Sequence, residues 1–171
     1  MTADSELDRI DRRILAALQA NGRLTNQALS EQVALSPSAC LARVRRLEQT
    51  GVIQGYHARL DPFKLDVGLV LYAEVTLKGH RPEELAVFER TIMKIPAIVE
   101  ASHMTGAYDY LLKVVTKNMA DWTKIAEKLT SSGLGVDRIN THVMMHKPKF
   151  FVGYPTDEAH VCNGSKANVS E

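Results

Sequence analysis

The sequence predicts an α+β chain in two parts, three short helices followed by a βαββαβ run. Three observations predict it. Leu7, Ile10, Ile14, Leu15 and Leu18 recur at helical spacing from the N-terminus. Ser36-Pro37 and Gly51 bracket a compact helix rich in arginine. From Val67 onward the pattern changes to β-branched and aromatic runs broken by two helix openings. The parts divide as residues 1–52, a winged-type helix-turn-helix; 53–65, a linker strand; 66–152, a ferredoxin-like domain; and 153–171, a disordered tail.

Each helix of the first part has its own punctuation. Asn21-Gly22 stops the first, and Thr25 caps a second that contains Ala28, Leu29 and Val33. Leu35-Ser36-Pro37 is a tight turn into the third. There Ser36 suits the N-cap, Pro37 the first helical position, and Gly51 the left-handed residue beyond the end. At about 100° per residue Cys40, Val44 and Leu47 share one face, while Ser38, Ala42, Arg45, Arg46 and Gln49 point the other way. Three helices with a short turn before the last make a helix-turn-helix, whose last helix lies in the major groove of DNA. A small-residue N-terminus followed by arginines suits that entry better than it suits an ordinary solvated bundle.

Ile53, Tyr56, Ala58 and Leu60 suggest an extended stretch that Asp61-Pro62 ends, read equally as a linker strand, a small wing or a plain linker. Val67 to Leu77 then reads as a buried strand. Pro82-Glu83-Glu84 opens a helix with acids at its positive end; Leu85, Phe88, Ile92 and Ile95 form its stripe, and Pro96 closes it. Ala97–Thr105 and Tyr108–Thr116 are strands joined at Gly106-Ala107. Asn118 caps a second helix carrying Met119, Trp122, Ile125 and Leu129, with Asp121 placed to complete a capping box. Ser131-Ser132-Gly133 ends it. In a last strand, Val136 to Met145, the residues Ile139, Thr141, Val143 and Met145 alternate with Arg138, Asn140, His142 and Met144. One antiparallel sheet with both helices on one face leaves the other face for a partner, so homodimerisation is expected.

Composition excludes several classes. No segment is long and apolar enough to span a membrane, and the first residues, with Asp4, Glu6 and Asp8, do not form a signal peptide. Cys40 falls on the buried stripe and Cys162 in the polar tail, with no disulfide or zinc spacing, which points to a reducing cytoplasm. His160 and Cys162 make no metal site, and His142 and His146 do not converge on a strand as they would on a helix. The net charge of +1 says little; the local arginine cluster matters. With no nucleophile–base pair, phosphate loop or metal constellation, the chain carries no catalytic or metal residues and needs no cofactor.

Leu7-Asp8-x-Ile10-Asp11-Arg12-x-Ile14-Leu15, Asn21-Gly22-Arg23 and Leu35-Ser36-Pro37-Ser38-x-Cys40-x-x-Arg43-Val44-Arg45-Arg46-Leu47-Glu48 follow one another in order. Gly51-x-Ile53-x-Gly55-Tyr56 and Thr105-Gly106-x-Tyr108-Asp109-Tyr110-Leu111-Leu112 complete the series. In these motifs the chain resembles the Lrp/AsnC, or feast/famine, regulators over roughly residues 6–150. The resemblance implies an amino-acid-responsive transcriptional regulator of amino-acid metabolism or transport. It implies an N-terminal domain that reads double-stranded DNA and a C-terminal domain that dimerises and binds an effector. Dimers would assemble into tetramers, octamers or larger rings, with a free amino acid bound where dimers meet. Some relatives of this pair of folds are sirohaem decarboxylases with histidines near a tetrapyrrole cavity, and stand-alone C-terminal domains act as ligand modules. The intact arginine-bearing helix favours the regulator over both.

Residue by residue, Ser36, Ser38, Ala39 and Arg46 are expected at base edges or groove walls, and Arg23, Arg43 and Arg45 on phosphates. A dimer would set its two reading helices about one DNA turn, ~34 Å, apart on imperfect palindromes. For the effector, residues alone read Gly106 as a hairpin turn and Asp109 as a turn-stabilising side chain. The family's Gly-x-x-Asp loop implies more: backbone N–H groups at Gly106 for the carboxylate and Asp109 for the ammonium. Thr105, Tyr108, His142 and Met144, with His103 on the neighbouring strand, are the remaining wall candidates. A histidine lining that pocket would favour a polar, acidic or sulfur-containing effector.

Overall fold

The computed structural model describes residues 7–131 and 133–156, and the chain divides into two units, 1–59 with 149–171, and 60–148.

The first unit holds α1 (Arg9–Ala20), α2 (Asn26–Val33) and α3 (Pro37–Gln49). Asp8 and Asp11 form a reciprocal capping box: each carboxylate accepts the other's backbone N–H, at 2.7 and 3.2 Å. Thr25 caps α2 by accepting from the Ala28 N–H, and Ala34 ends it in the left-handed conformation. The core is Ile14, Leu29, Val33, Cys40 and Leu47, with Leu7, Ile10, Leu18 and Val44 around it. Burial pushes the Cys40 thiol pKa up, so this cysteine is packing rather than chemistry.

The expected linker strand is not formed: among the described residues no strand lies between α3 and Leu69. Among the described residues the backbone there pairs with no strand. Ile53 and Tyr56 serve α3 instead. Ile53 packs on the helical core, its N–H donates to the Leu47 carbonyl at 3.0 Å, and the Tyr56 hydroxyl donates to Glu48 at 3.0 Å. Asp61 then caps a short 3-10 turn, Pro62–Lys64.

The second unit comprises β1 (Leu69–Leu77), α4 (Pro82–Ile92), β2 (Ile98–His103), β3 (Tyr110–Thr116), α5 (Met119–Ser131) and β4 (Val136–Val143). The antiparallel sheet has the order β2-β3-β1-β4, which is the ferredoxin-like arrangement expected. Val75 pairs with Tyr110 on one side and Ile139 on the other, and His103 pairs with Tyr110. Leu71, Ala73, Val75 and Leu77 of β1 and Tyr110, Leu112 and Val114 of β3 bury one face with Phe88, Ile92, Trp122 and Leu129 of the helices. The Trp122 indole N–H donates to Thr141 at 3.1 Å, tying α5 to β4.

Three boundaries differ from the sequence reading. The β2–β3 connection spans Met104–Asp109 rather than a two-residue turn, closed by the Met104 N–H donating to the Asp109 carbonyl at 2.8 Å. The last strand stops at Val143 rather than Met145, and Met145, beyond its end, is 93% exposed. Residues 149–152 belong with the first unit rather than the second, and 153–156 are ordered rather than a loose tail. The Arg59 guanidinium lies 4.4 Å over the Phe150 ring. Gln19 of α1 accepts the Tyr154 N–H at 2.6 Å and donates to the Tyr154 carbonyl at 2.9 Å. The remainder of the expected tail, 157–171 with His160 and Cys162, lies outside the described residues.

Candidate functional site

The geometry of α3 begins at its N-terminus. Ser36 Oγ accepts the Ala39 N–H at 3.2 Å and lies 3.2 Å from Ser38 Oγ, so its hydroxyl is engaged in capping. The Asn26 side chain, on the first turn of α2, donates to the Pro37 carbonyl at 2.8 Å. That bond joins the two helices at the turn and fixes where α3 starts. Cys40 and Leu47 face the core. Ser38, Ala42, Arg45 and Gln49 form the opposite, exposed arc, with exposed Ala39 at its edge. Small side chains at its start let the helix approach a surface closely, and one guanidinium follows a turn later. Arg23, in the turn before α2, is also exposed, with its backbone N–H on the Asn21 side chain.

Arg43 and Arg46 are placed differently from the expectation that they serve DNA. Arg43 Nη1 donates to Asp8 at 2.6 Å and to Asp11 at 2.9 Å, and Arg46 Nη2 donates to the other oxygen of Asp11. Asp11 is fully buried. A carboxylate removed from water needs compensating cations and hydrogen bonds, and the two arginines three residues apart on α3 supply them. The Asp8 carboxyl is held below the usual carboxylate range, first by the Asp11 N–H and then by Arg43. Reciprocally, Asp8 and then Asp11 raise Arg43. The signal was present as acids at the N-cap and N3 of α1 and arginines at i, i+3 on α3, but nothing in the sequence states which faces meet.

In the second unit the predicted effector residues do not form one cluster. Thr105, Gly106, Tyr108 and Asp109 lie together in the β2–β3 connection. Gly106 has φ +124°, a conformation that only glycine adopts readily, and nothing lies within 4 Å of where a Cβ would sit. Asp109 spends both carboxylate oxygens on its own chain. One accepts the Leu77 N–H at 2.7 Å, and the other lies 2.8 Å from His80 Nε2. The Leu77 N–H is the larger cause, and His80 a smaller one, of an Asp109 carboxyl held below its ordinary range. This is the turn-stabilising role, and it conflicts with a free ammonium acceptor.

His103 and His142 sit on opposite faces of the sheet. The His103 ring stacks on Tyr110 at 4.7 Å, on the helix-covered face. The Tyr110 hydroxyl donates to Glu89 of α4 at 2.8 Å; burial first, then Glu89, pushes its pKa up to about 12. His142 pairs with Tyr72 across the ladder and lies 3.4 Å from Glu74, on the face opposite α4 and α5. Half-buried Met144 follows on that same face, its N–H donating to the Val70 carbonyl at 2.9 Å. His103 and His142 therefore do not share one wall. His80 and Glu89, the partners of Asp109 and Tyr110, were not singled out in the sequence, since neither lies within a recognisable motif. Among the described residues no group of three or more His, Cys, Asp or Glu could hold a metal ion.

Two family models match the chain: winged helix-turn-helix DNA-binding over residues 7–54, and the Lrp/AsnC ligand binding domain over residues 70–152. The leucine-responsive regulatory protein of Escherichia coli strain K12 is 42% identical over 144 residues, covering 84% of this chain and 88% of that protein. A Neisseria meningitidis transcriptional regulator, solved as a complex with L-methionine, superposes with a TM-score of 0.82 at 32% identity, over 90% of this chain and 99% of that one. An AsnC family regulator from Agrobacterium tumefaciens gives 0.78 at 29% identity, over 86% and 96%.

Proposed function

The chain belongs to the Lrp/AsnC family of transcriptional regulators, and from that premise we propose that the exposed arc of α3 reads duplex DNA under control of a small apolar amino acid. It is an amino-acid-responsive regulator with a helix-turn-helix DNA-binding domain and a ferredoxin-like ligand-binding domain. The observation that carries the DNA reading is the arc itself. Ser38, Ala42 and Arg45 are exposed on a helix whose start is fixed by Ser36 and Asn26. Ser38, Ala39 and Ala42 line the groove, and Arg45 and Arg23 hold phosphates. Charge reversal, Arg45→Glu, tests this on DNA fragments selected by the unaltered protein from a sheared bacterial genome. Retention of those fragments should fall at least tenfold; equal retention would overturn the assignment.

Two copies would join through the sheet face that neither helix covers, where Tyr72, Leu111 and Val115 are half-buried. That places two α3 helices on one DNA, and larger rings multiply weak sites through effective concentration. Sedimentation velocity should show dimers or larger species at micromolar concentration, and a monomer would contradict the reading. The absence of a membrane-crossing helix among the described residues and the DNA partner support a cytoplasmic location.

For the effector we place the carboxylate at the Thr105–Tyr108 turn. Its N–H groups make no backbone hydrogen bond among the described residues. With Asp109 occupied and the histidines apart, an uncharged amino acid fits better than an acidic one. The names of the relatives, one leucine-responsive and one bound to L-methionine, support leucine or methionine. Calorimetric titration with leucine, methionine, aspartate and glutamate decides: tightest binding by either acid would refute this choice. Effector binding can change DNA occupancy only by favouring one assembly over another.

A further inference from the structure

We propose that Asp11 is a positioning residue for DNA reading, an anionic latch on α1 that sets α3 and withholds Arg43 and Arg46 from the DNA. This deepens the assignment of α3 as the reading helix and rests on it. Asp11 is completely buried, yet all its polar contacts are made within the unit. One oxygen receives Arg43, and the other receives Arg46 and the Asp8 N–H. Asp8 in turn receives Arg43 and the Asp11 N–H. Two carboxylates of one capping box thus meet two guanidiniums from a helix 32 to 35 residues away in the chain.

The planar guanidinium groups each fix a direction as well as a distance. Together with the Asn26 bond at the start of α3, they define the helix at two places: its first turn, and the middle of its α1-facing side. The core residues Cys40 and Leu47 alone leave rotation about the helix axis less constrained, because apolar contact is non-directional. A rotation of α3 would carry Arg45 and Ala42 off the arc that faces outward. Arg43 and Arg46 are therefore holding the helix, Arg46 with its side chain still 44% exposed, and Arg45 is the other exposed guanidinium of α3.

Salt dependence of binding separates the two roles, since removing one phosphate-neutralising cation lowers the slope of log K against log salt by ~0.9. The probe is a mixed-sequence 30-base-pair duplex, followed by fluorescence anisotropy with the full chain. Arg45→Ala should lower the slope by about 1 per reading helix and leave the melting temperature unchanged. Arg46→Ala should leave the slope unchanged and lower the melting temperature of the N-terminal unit by roughly 8 °C or more, since it uncovers a buried charge. Arg46→Lys should recover much of that deficit. Asp11→Asn should steepen the slope, because the freed guanidiniums become available to phosphate, a change that simple loosening of the packing would not produce.

If Asp11→Asn does not fold, the pair Arg46→Ala and Arg46→Lys still decides. A slope that falls by about 1 with Arg46→Ala at unchanged stability would overturn the latch while leaving DNA reading by α3 intact. Failure of the unaltered protein to bind the duplex at low salt would remove the DNA reading and the latch with it.

Discussion

Replacing Asp109 tests whether its carboxylate belongs to the fold or to the ligand. In Asp109→Ala the Leu77 N–H, at the buried end of β1, loses an acceptor 2.7 Å away. A hydrogen bond to a charged group contributes ~1.5–3 kcal/mol, and the donor left behind is poorly hydrated. The His80 contact adds little, because His80 is 62% exposed and such pairs give at most ~1 kcal/mol. The expected loss is about 2–3 kcal/mol, or roughly 8–24 °C in the melting of a unit of this size. Asp109→Asn keeps an oxygen for the Leu77 N–H and should lose only about 1 kcal/mol.

The same carboxylate fixes a pH window. Its folded pKa lies below the ordinary value of ~3.9. The stability it adds is present above that value and disappears as pH falls through the folded pKa. Urea titrations at pH 7 and at pH 3 should therefore show the wild-type advantage over Asp109→Asn shrinking in acid. Retained amino-acid binding by Asp109→Asn is also expected. Two results would refute the reasoning: Asp109→Ala within ~0.5 kcal/mol of wild type at pH 7, or a stable Asp109→Asn that no longer binds any amino acid.

Two further outcomes follow from the buried face of the sheet. Tyr110 should ionise late in an absorbance titration, near pH 12 as its raised pKa of about 12 requires, and stability should decline from about pH 10 upward. A Tyr110→Phe variant should remove that last phase, and its persistence would contradict the assignment. The Thr116 hydroxyl is buried and has no hydrogen-bond partner among the described residues, so Thr116→Val should raise stability by about 1 kcal/mol in urea melts; a loss of similar size would show that the hydroxyl is satisfied.

Local chemistry made most of the architecture legible. The caps at Thr25, Ser36 and Asn118 announce their helices, and each accepts the N–H three residues on. The βαββαβ order could be read because β-branched runs alternate with stripes of helical period, such as Leu85, Phe88 and Ile92. What periodicity cannot encode is which faces meet across the chain. Arg46 sits on the polar side of a helical wheel, yet a buried carboxylate 35 positions away claims it. Ile53, Tyr56, Ala58 and Leu60 suggest an extended stretch, but a ladder needs a neighbour, and none is present among the described residues. His103 and His142 both sit on strands that the sequence reading brought to one pocket. Only the register shows that they point to opposite faces.

Whether α3 meets DNA through the Ser38–Ala42–Arg45 arc can be mapped by hydroxyl-radical cleavage from a tethered iron chelate. The chelate is carried at Ala42→Cys and, for comparison, at the exposed Glu127→Cys of α5, on genomic fragments recovered by the protein. Cuts from position 42 should cluster in major grooves and repeat about one turn apart, with none above background from position 127. Uniform cutting from both positions, or none from position 42 while the fragment stays bound, would contradict DNA reading by this arc.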